Sequence, residues 1–330
     1  MFTRTLGKSG IEVSAMGLGC WAIGGPWKLD GRQVGWSKVD DRESIRAIHK
    51  ALDLGINLFD TAACYGAGHS ERILGQAVAG RRDKVIIATK FGHLVDEDRK
   101  MVTGNTGNVA KYLRRFCEDS LHRLGADYID LYQFHFGEYP LDDVYKVRDL
   151  LDALVAEGKI RSYGWSTDHV EYARVFAEGN HCAAVQFALN ILADAPEMLA
   201  LCDEFSLAGI NRNPLQKGLL TGKISSDTTF PEDDIRHSWD LKSEKVTVEL
   251  AQLEAIREVL TQGKRTLAQG ALGWIWARHG RTIPIPGFKT VAQVEENVRA
   301  LAFGPLAKEQ MKQIDVLLGR SSELPGTQET

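Results

Sequence analysis

Four polar side chains stand at, or just past, the ends of runs that read as β-strands. Asp60 closes Ile56-Asn57-Leu58-Phe59-Asp60, and Tyr65 follows in the next loop. Lys90 closes Val85-Ile86-Ile87-Ala88-Thr89-Lys90, and His135 closes Leu131-Tyr132-Gln133-Phe134-His135. Neighbouring strands lie about 4.8 Å apart, so consecutive strand ends can bring these head groups together. The residue types suit delivery of a proton to a carbonyl oxygen. A free phenol, with a pKa of about 10, is a sluggish donor at neutral pH. An ammonium beside it favours the phenolate and lowers that value. Asp60 can balance a buried Lys90, and the His135 imidazole can orient a carbonyl or share its proton. Together they describe a general acid poised at a developing alkoxide. Singly, each has a plainer reading: a turn or helix cap, a packing ring, a solvated lysine, a structural histidine. The chemistry rests on the four together.

The elements that must position them follow from hydrophobic periodicity. Short apolar runs alternate with helix-period segments along the chain. Strands are predicted at 15–20, 56–60, 84–90, 128–135, 160–166, 183–187, 208–212 and 282–286. Helices are predicted at 41–54, 70–78, 109–124, 141–156, 170–176, 196–205, 267–277 and 291–301. Eight βα units imply a parallel sheet with right-handed crossovers, and at this length a closed (β/α)8 barrel of the TIM type. The competing open dinucleotide-binding sheet needs Gly-x-Gly-x-x-Gly after its first strand, and Gly17-Leu18-Gly19-Cys20-Trp21-Ala22 lacks the third glycine. A hairpin is expected over 3–13. Two extra helices are expected, of which one is placed at 246–260. Long loops over 24–38 and 218–244 both follow strands, so both belong at the mouth, where barrel enzymes carry their chemistry. One domain is expected over 1–330, with its core at 3–318 and a tail at 319–330.

Composition sets limits. The 40 Lys and Arg against 44 Asp and Glu leave a net charge of −4, which argues against a nucleic-acid binder. No apolar run approaches the roughly 20 residues that span a bilayer, and the first residues carry no signal-peptide block. Cysteines at 20, 64, 117, 182 and 202 are odd in number and unpaired in spacing, which fits reduced thiols and a cytoplasmic protein. The nine histidines show no zinc-like spacing, so no metal site is expected. No spare apolar helix face is evident, and a monomer is expected.

Several blocks carry a family resemblance. Asp60-Thr61-Ala62-Ala63-Cys64-Tyr65-Gly66 with Gly68-His69-Ser70-Glu71, and the run from Leu124 to His135, resemble the aldo-keto reductase signature. Glu157 to Arg161, Pro214 to Lys223, and Ile285-Pro286-Gly287 with Glu295-Glu296-Asn297 are similar to further blocks of that family, in family order. The bacterial general-stress and potassium-channel-β-like branch is the most similar. The resemblance implies that Tyr65 is the proton donor, that Lys90 and Asp60 tune it, and that His135 orients the carbonyl. It implies reduction of aldehydes and ketones by a nicotinamide across the barrel mouth, or the reverse oxidation of an alcohol or sugar. Potassium-channel β subunits share the fold, so a cofactor-sensing regulatory module is the alternative class. A Schiff-base aldolase on the same barrel is more remote.

By the same resemblance Ser166 and Gln186 hold the carboxamide. The family's usual Asn is replaced by Thr167, and the usual stacking aromatic by Arg212. An arginine there stacks on a ring and favours the uncharged, reduced cofactor over the cationic one. Trp21 belongs to the same cofactor cleft. Pro214, Leu215, Lys217, Gly218 and Lys223 fall where the family folds over the pyrophosphate. Gly287, Lys289 and Thr290 open a helix, a ready anion site. Lys289 and Thr290 fit a 2′-phosphate, so NADP(H) is expected over NAD(H). Gln293 replaces a common Arg, and Glu296 and Asn297 match the adenine contacts. Trp21, Trp27, Trp36 and Phe91 are expected to wall the substrate pocket, with His93, Phe136 and Trp239 as further candidates and an apolar or flat carbonyl compound as the small-molecule partner.

Overall fold

The computed structural model describes residues 2–104 and 107–320. β1 (Thr3–Thr5) and β2 (Glu12–Ser14) form an antiparallel hairpin, as expected. β3 (Leu18–Gly19) opens the barrel, and β4 (Lys28–Leu29) and β5 (Arg32–Gln33) lie in the loop after it. Then come α1 (Asp41–Asp53), β6 (Leu58–Asp60), α2 (His69–Val78) and β7 (Ile86–Phe91). The short strands β8 (Leu94–Asp96) and β9 (Met101–Thr103) precede α3 (Val109–Leu124), β10 (Ile129–Phe134) and α4 (Leu141–Ala156). β11 (Ile160–Ser166), α5 (Val170–Ala177), β12 (Cys182–Ala188), α6 (Pro196–Glu204) and β13 (Ala208–Arg212) follow. The chain then runs through α7 (Glu244–Thr261), α8 (Leu267–Arg278), β14 (Thr282–Pro284), α9 (Val291–Phe303) and α10 (Lys308–Leu317).

β3, β6, β7, β10, β11, β12, β13 and β14 form one parallel sheet in that order. The sheet closes on itself: Gly17 N donates to Pro284 O at 3.1 Å and Gly19 N to Pro286 O at 3.0 Å. Closure needs a bare backbone, since a Cβ on Gly19 would stand 2.8 Å from Ile285 O. α7 and α10 are the two helices beyond the eight of the repeat. The predicted strand spans run a few residues long at 15–20, 84–90 and 282–286, because the edges of a short barrel strand stop pairing before their apolar character ends.

Side chains two apart on a strand share a face, and this period builds the interior in layers. Leu58, Ala88, Leu131, Ala184 and Ile210 face inward near the base, where Leu6, Ile11 and Val13 of the hairpin region pack against them. Two residues on, the same faces present Asp60, Lys90, Gln133, Gln186 and Arg212. The apolar plug therefore ends one layer below a polar one. The intervening residues face the helices: Phe59, Phe91, Phe134 and Val185 are buried in the larger outer core. α3 shows the same logic, burying Val109, Leu113, Phe116, Cys117 and Leu124 and capping its start with Asn108, which accepts from Lys111 N.

One feature lies outside the sequence expectation. β5, β4, β9 and β8 form a separate four-stranded sheet over the mouth. Of the tail expected at 319–330, residues 321–330 lie outside the described residues. Among the described residues no helix is long and apolar enough to cross a membrane.

Candidate active site

The polar layer is a connected network. Lys90 is fully buried, and its Nζ donates to Asp60 Oδ1 at 2.5 Å, to Thr61 O at 2.8 Å and to the Tyr65 hydroxyl at 3.3 Å. Asp60 Oδ2 accepts from Gln133 Nε2 at 3.0 Å and Gln186 Nε2 at 2.8 Å. Tyr65 is placed by the turn after β6, its backbone N–H donating to Ala62 O. Its ring stacks on Trp21 at 6.0 Å and meets the His135 ring edge-on at 5.9 Å. The four residues singled out from sequence are thus brought together beneath one cleft.

The electrostatics differ from the expectation at one point. Burial pushes the Tyr65 phenol up to about 12; Lys90 pulls it back down, but not to its ordinary value. Removal from water costs the phenolate more than the neighbouring ammonium returns. Burial works against the Lys90 ammonium too, yet the charges of Asp60 and Tyr65 and the bonds to them hold it above the usual lysine range. Burial and the Lys90 charge hold His135 well below the usual imidazole value, so that ring is neutral. The layer therefore holds a protonated phenol, an ammonium locked to a carboxylate, and a neutral imidazole. This set can donate a proton to an oxygen that gains negative charge.

A cleft of about 840 Å³ runs from this layer across the mouth. It is lined by Trp21, Trp27, Trp36, Ser166, Thr167, Gln186, Arg212, Pro214, Leu215, Lys217, Gly218, Lys223, Gly287, Lys289, Gln293, Glu296 and Asn297. Between Asn213 and Gly218 the backbone takes positive φ at Asn213, Gln216, Lys217 and Gly218, a tight left-handed path closed by Gln216 N donating to Asn213 O and Gly218 N to Leu215 O. A Cβ on Gly287 would meet only Gly19 O, at 3.8 Å, so a ligand can approach the backbone there.

A model of the aldo/keto reductase family matches residues 15–318. The chain is an aldo-keto reductase. It is 32% identical over 310 residues to the NADH-specific methylglyoxal reductase of Escherichia coli, covering 90% of this chain and 92% of that protein. It is 31% identical over 312 residues to the aldo-keto reductase yakc [NADP(+)] of Schizosaccharomyces pombe, covering 91% and 86%. Among solved structures it resembles the glycerol dehydrogenase AKR11B4 from Gluconobacter oxydans, with TM-score 0.80, 32% identity, and 99% and 98% of the two chains covered. An aldo-keto reductase is an oxidoreductase that works with a nicotinamide cofactor on small carbonyl compounds.

Within this aldo-keto reductase several residues sit otherwise than the sequence suggests. Phe91 does not wall the pocket: strand alternation turns it outward from Lys90, onto Tyr132 at 4.6 Å and Phe134 at 5.2 Å. Thr290 is turned to its own helix, its hydroxyl accepting from Gln293 N. Thr167 lines the cleft, but its hydroxyl donates to Gly137 O at 2.6 Å, so that proton is engaged. Arg212 is ion-paired with Asp168, a counter-charge that offsets the bias expected toward the reduced cofactor. Lys289 reaches Ser37, donating to its carbonyl at 3.0 Å and its hydroxyl at 2.9 Å. Lys223 pairs with Glu296 at 3.0 Å.

Two neighbours, Arg236 and Cys64, were missed from sequence. Arg236 stacks on Trp36 and Phe230 and pairs with Asp234. Cys64 and His93 stand with His135 in one group whose ligating atoms lie within 4.8 Å of one another. No spacing rule finds that group, because its members come from three separate loops.

Proposed function

We propose that this chain reduces small aldehydes and ketones with NADPH, with Tyr65 as the proton donor. The observation that carries this reading is the Lys90 ammonium, bonded at once to Asp60 and to the Tyr65 hydroxyl at the floor of the cleft. A nicotinamide supplies the hydride when bound. The chain's own residues supply the rest. His135, neutral, donates a hydrogen bond to the substrate oxygen and holds it beside the Tyr65 hydroxyl. As negative charge develops on that oxygen, Tyr65 gives up its proton and Lys90 stabilises the phenolate left behind. Asp60, held by Gln133 and Gln186, keeps Lys90 charged and in place. Trp21, Trp27 and Trp36 narrow the mouth, exclude water and favour apolar or flat carbonyl compounds.

The residues present fit a dinucleotide. Ser166 and Gln186 stand near Tyr65 for the carboxamide, with Arg212 beside them. Lys217 and Lys223 offer cations for the pyrophosphate, with Pro214, Leu215 and Gly218 lining the same stretch. Lys289 would hold a 2′-phosphate after releasing Ser37, while Gly287, Glu296 and Asn297 line the far end. A relative named for NADP(+) supports this choice, and one named as NADH-specific makes it worth testing. The same layer read backwards oxidises an alcohol, a second reading favoured by the solved relative named as a glycerol dehydrogenase. The chain is proposed to work as one barrel and as a monomer.

The test is turnover followed at the NADPH absorbance band. Small aldehydes, methylglyoxal among them, should drive NADPH oxidation faster than glycerol drives NADP+ reduction. Faster glycerol oxidation would reverse the assigned direction. No turnover with any carbonyl or alcohol, with tight NADPH binding retained, would favour a cofactor-sensing module.

A further inference from the structure

Cys64, His93 and His135 line the cleft beside the proton-transfer layer, and the functional reading uses only the last of them. Cys64 Sγ lies 3.5 Å from His135 Nδ1. With Zn–S of about 2.3 Å and Zn–N of about 2.0–2.1 Å, a tetrahedral ion separates its sulfur and nitrogen ligands by about 3.6 Å. That edge is already formed. The third ligand, His93, lies within 4.8 Å of the other two and must close part of that span on binding. His93 is half-buried, stacked on Phe136 at 4.8 Å, and follows Gly92, whose φ of 130° only glycine adopts freely. His69, His169 and His279 each pair with an Asp or Glu. Neither His93 nor His135 has such a carboxylate partner among the described residues. Two imidazoles and one thiol are the donor set that soft or borderline cations prefer, with water left for the fourth position.

We propose that Cys64, His93 and His135 form a binding site for Zn2+ in the wall of the active-site cleft, and that occupancy reversibly inhibits carbonyl reduction. Binding forms one S–Zn and two N–Zn bonds. The thiol proton leaves to solvent, and nothing is oxidised or reduced. Coordination through Nδ1 fixes the His135 ring, and the ion with its water-filled fourth position crowds the cleft where the substrate oxygen must sit beside that ring. The inhibitory half rests on the role assigned to His135; the binding half does not. The plainer alternative is a weak S–H···N contact that binds no ion.

Cobalt makes the site visible. Chelator-treated enzyme titrated with Co2+ should develop a thiolate-to-metal charge-transfer band and the ligand-field bands of a tetrahedral ion, saturating at one equivalent and displaced by Zn2+. Cys64→Ala should lose the charge-transfer band. It should also bind Zn2+ at least about tenfold more weakly, the lower end of what loss of even an outer-shell partner costs. His93→Ala should keep the thiolate band but lose the tetrahedral pattern. In turnover, Zn2+ should inhibit the wild type, a chelator should restore it, and Cys64→Ala, with metal-free turnover intact, should need at least about tenfold more Zn2+. Absence of the thiolate band, an unchanged spectrum in His93→Ala, or equal Zn2+ sensitivity in Cys64→Ala would overturn the proposal. The spectra need no substrate: bands without carbonyl turnover would leave the site standing and remove the functional reading instead.

Discussion

At the scale of single residues, the protonation states decide the chemistry. Tyr65 has its phenol pushed up to about 12 by burial despite an ammonium at 3.3 Å, and burial keeps His135 well below its ordinary value. Both groups therefore hold one protonation state from the usual imidazole value of about 6.5 to the usual phenol value of about 10. Reduction of a neutral aldehyde at saturating cofactor should be flat across that window. An inflection near 6.5 in the pH–rate profile would show that His135 titrates during turnover and contradict the assignment. Asp60, Lys90 and His135 were legible from sequence because each stands at a strand end, where a period of two fixes its direction, and Tyr65 by its place five residues past Asp60. The phenol's raised pKa was not legible: charge alone argues for lowering it, and only burial reverses the sign.

Elements explain which cofactor contacts can form. The start of α9 brings Lys289 to the cleft, but its ammonium is now engaged by Ser37 in the loop after β5. A 2′-phosphate must replace that loop as its partner, which couples nucleotide choice to the loop's position. Lys289→Ala should raise KM for NADPH by about tenfold or more, since a hydrogen bond to a charged group contributes about 1.5–3 kcal/mol. KM for NADH should stay within about twofold. Equal increases for both nucleotides, measured by steady-state kinetics, would remove Lys289 from the phosphate site. Alternation announced the eight strands of the barrel, and the helices with broad apolar stripes fell close to their predicted spans. The four-stranded sheet over the mouth stayed hidden, because strands of two or three residues, such as Lys28–Leu29 and Arg32–Gln33, carry no readable period.

For the whole molecule, the barrel is a stack: a hairpin plug, an apolar floor, a polar layer and an aromatic-rimmed cleft. Leu6 is fully buried in the plug, away from the cleft. Leu6→Ala should lower unfolding free energy by about 2–5 kcal/mol, the usual cost of such a cavity. Chemical denaturation measures that loss, and the KM for NADPH should be unchanged. A large change in KM with little loss of stability would mean that the plug does not act as a support. Closure of the barrel was legible from the number of βα units. The cluster of Cys64, His93 and His135 was not, because only the closed mouth brings three distant loops together. The same closure sets Tyr65 over Lys90, and this contact carries the account. The most direct measurement compares wild type with Tyr65→Phe in NADPH-dependent aldehyde reduction, with NADPH affinity determined on both. Loss of the general acid should lower kcat by about 10²–10⁴-fold with NADPH affinity unchanged. A variant that turns over as fast as the wild type would contradict the account.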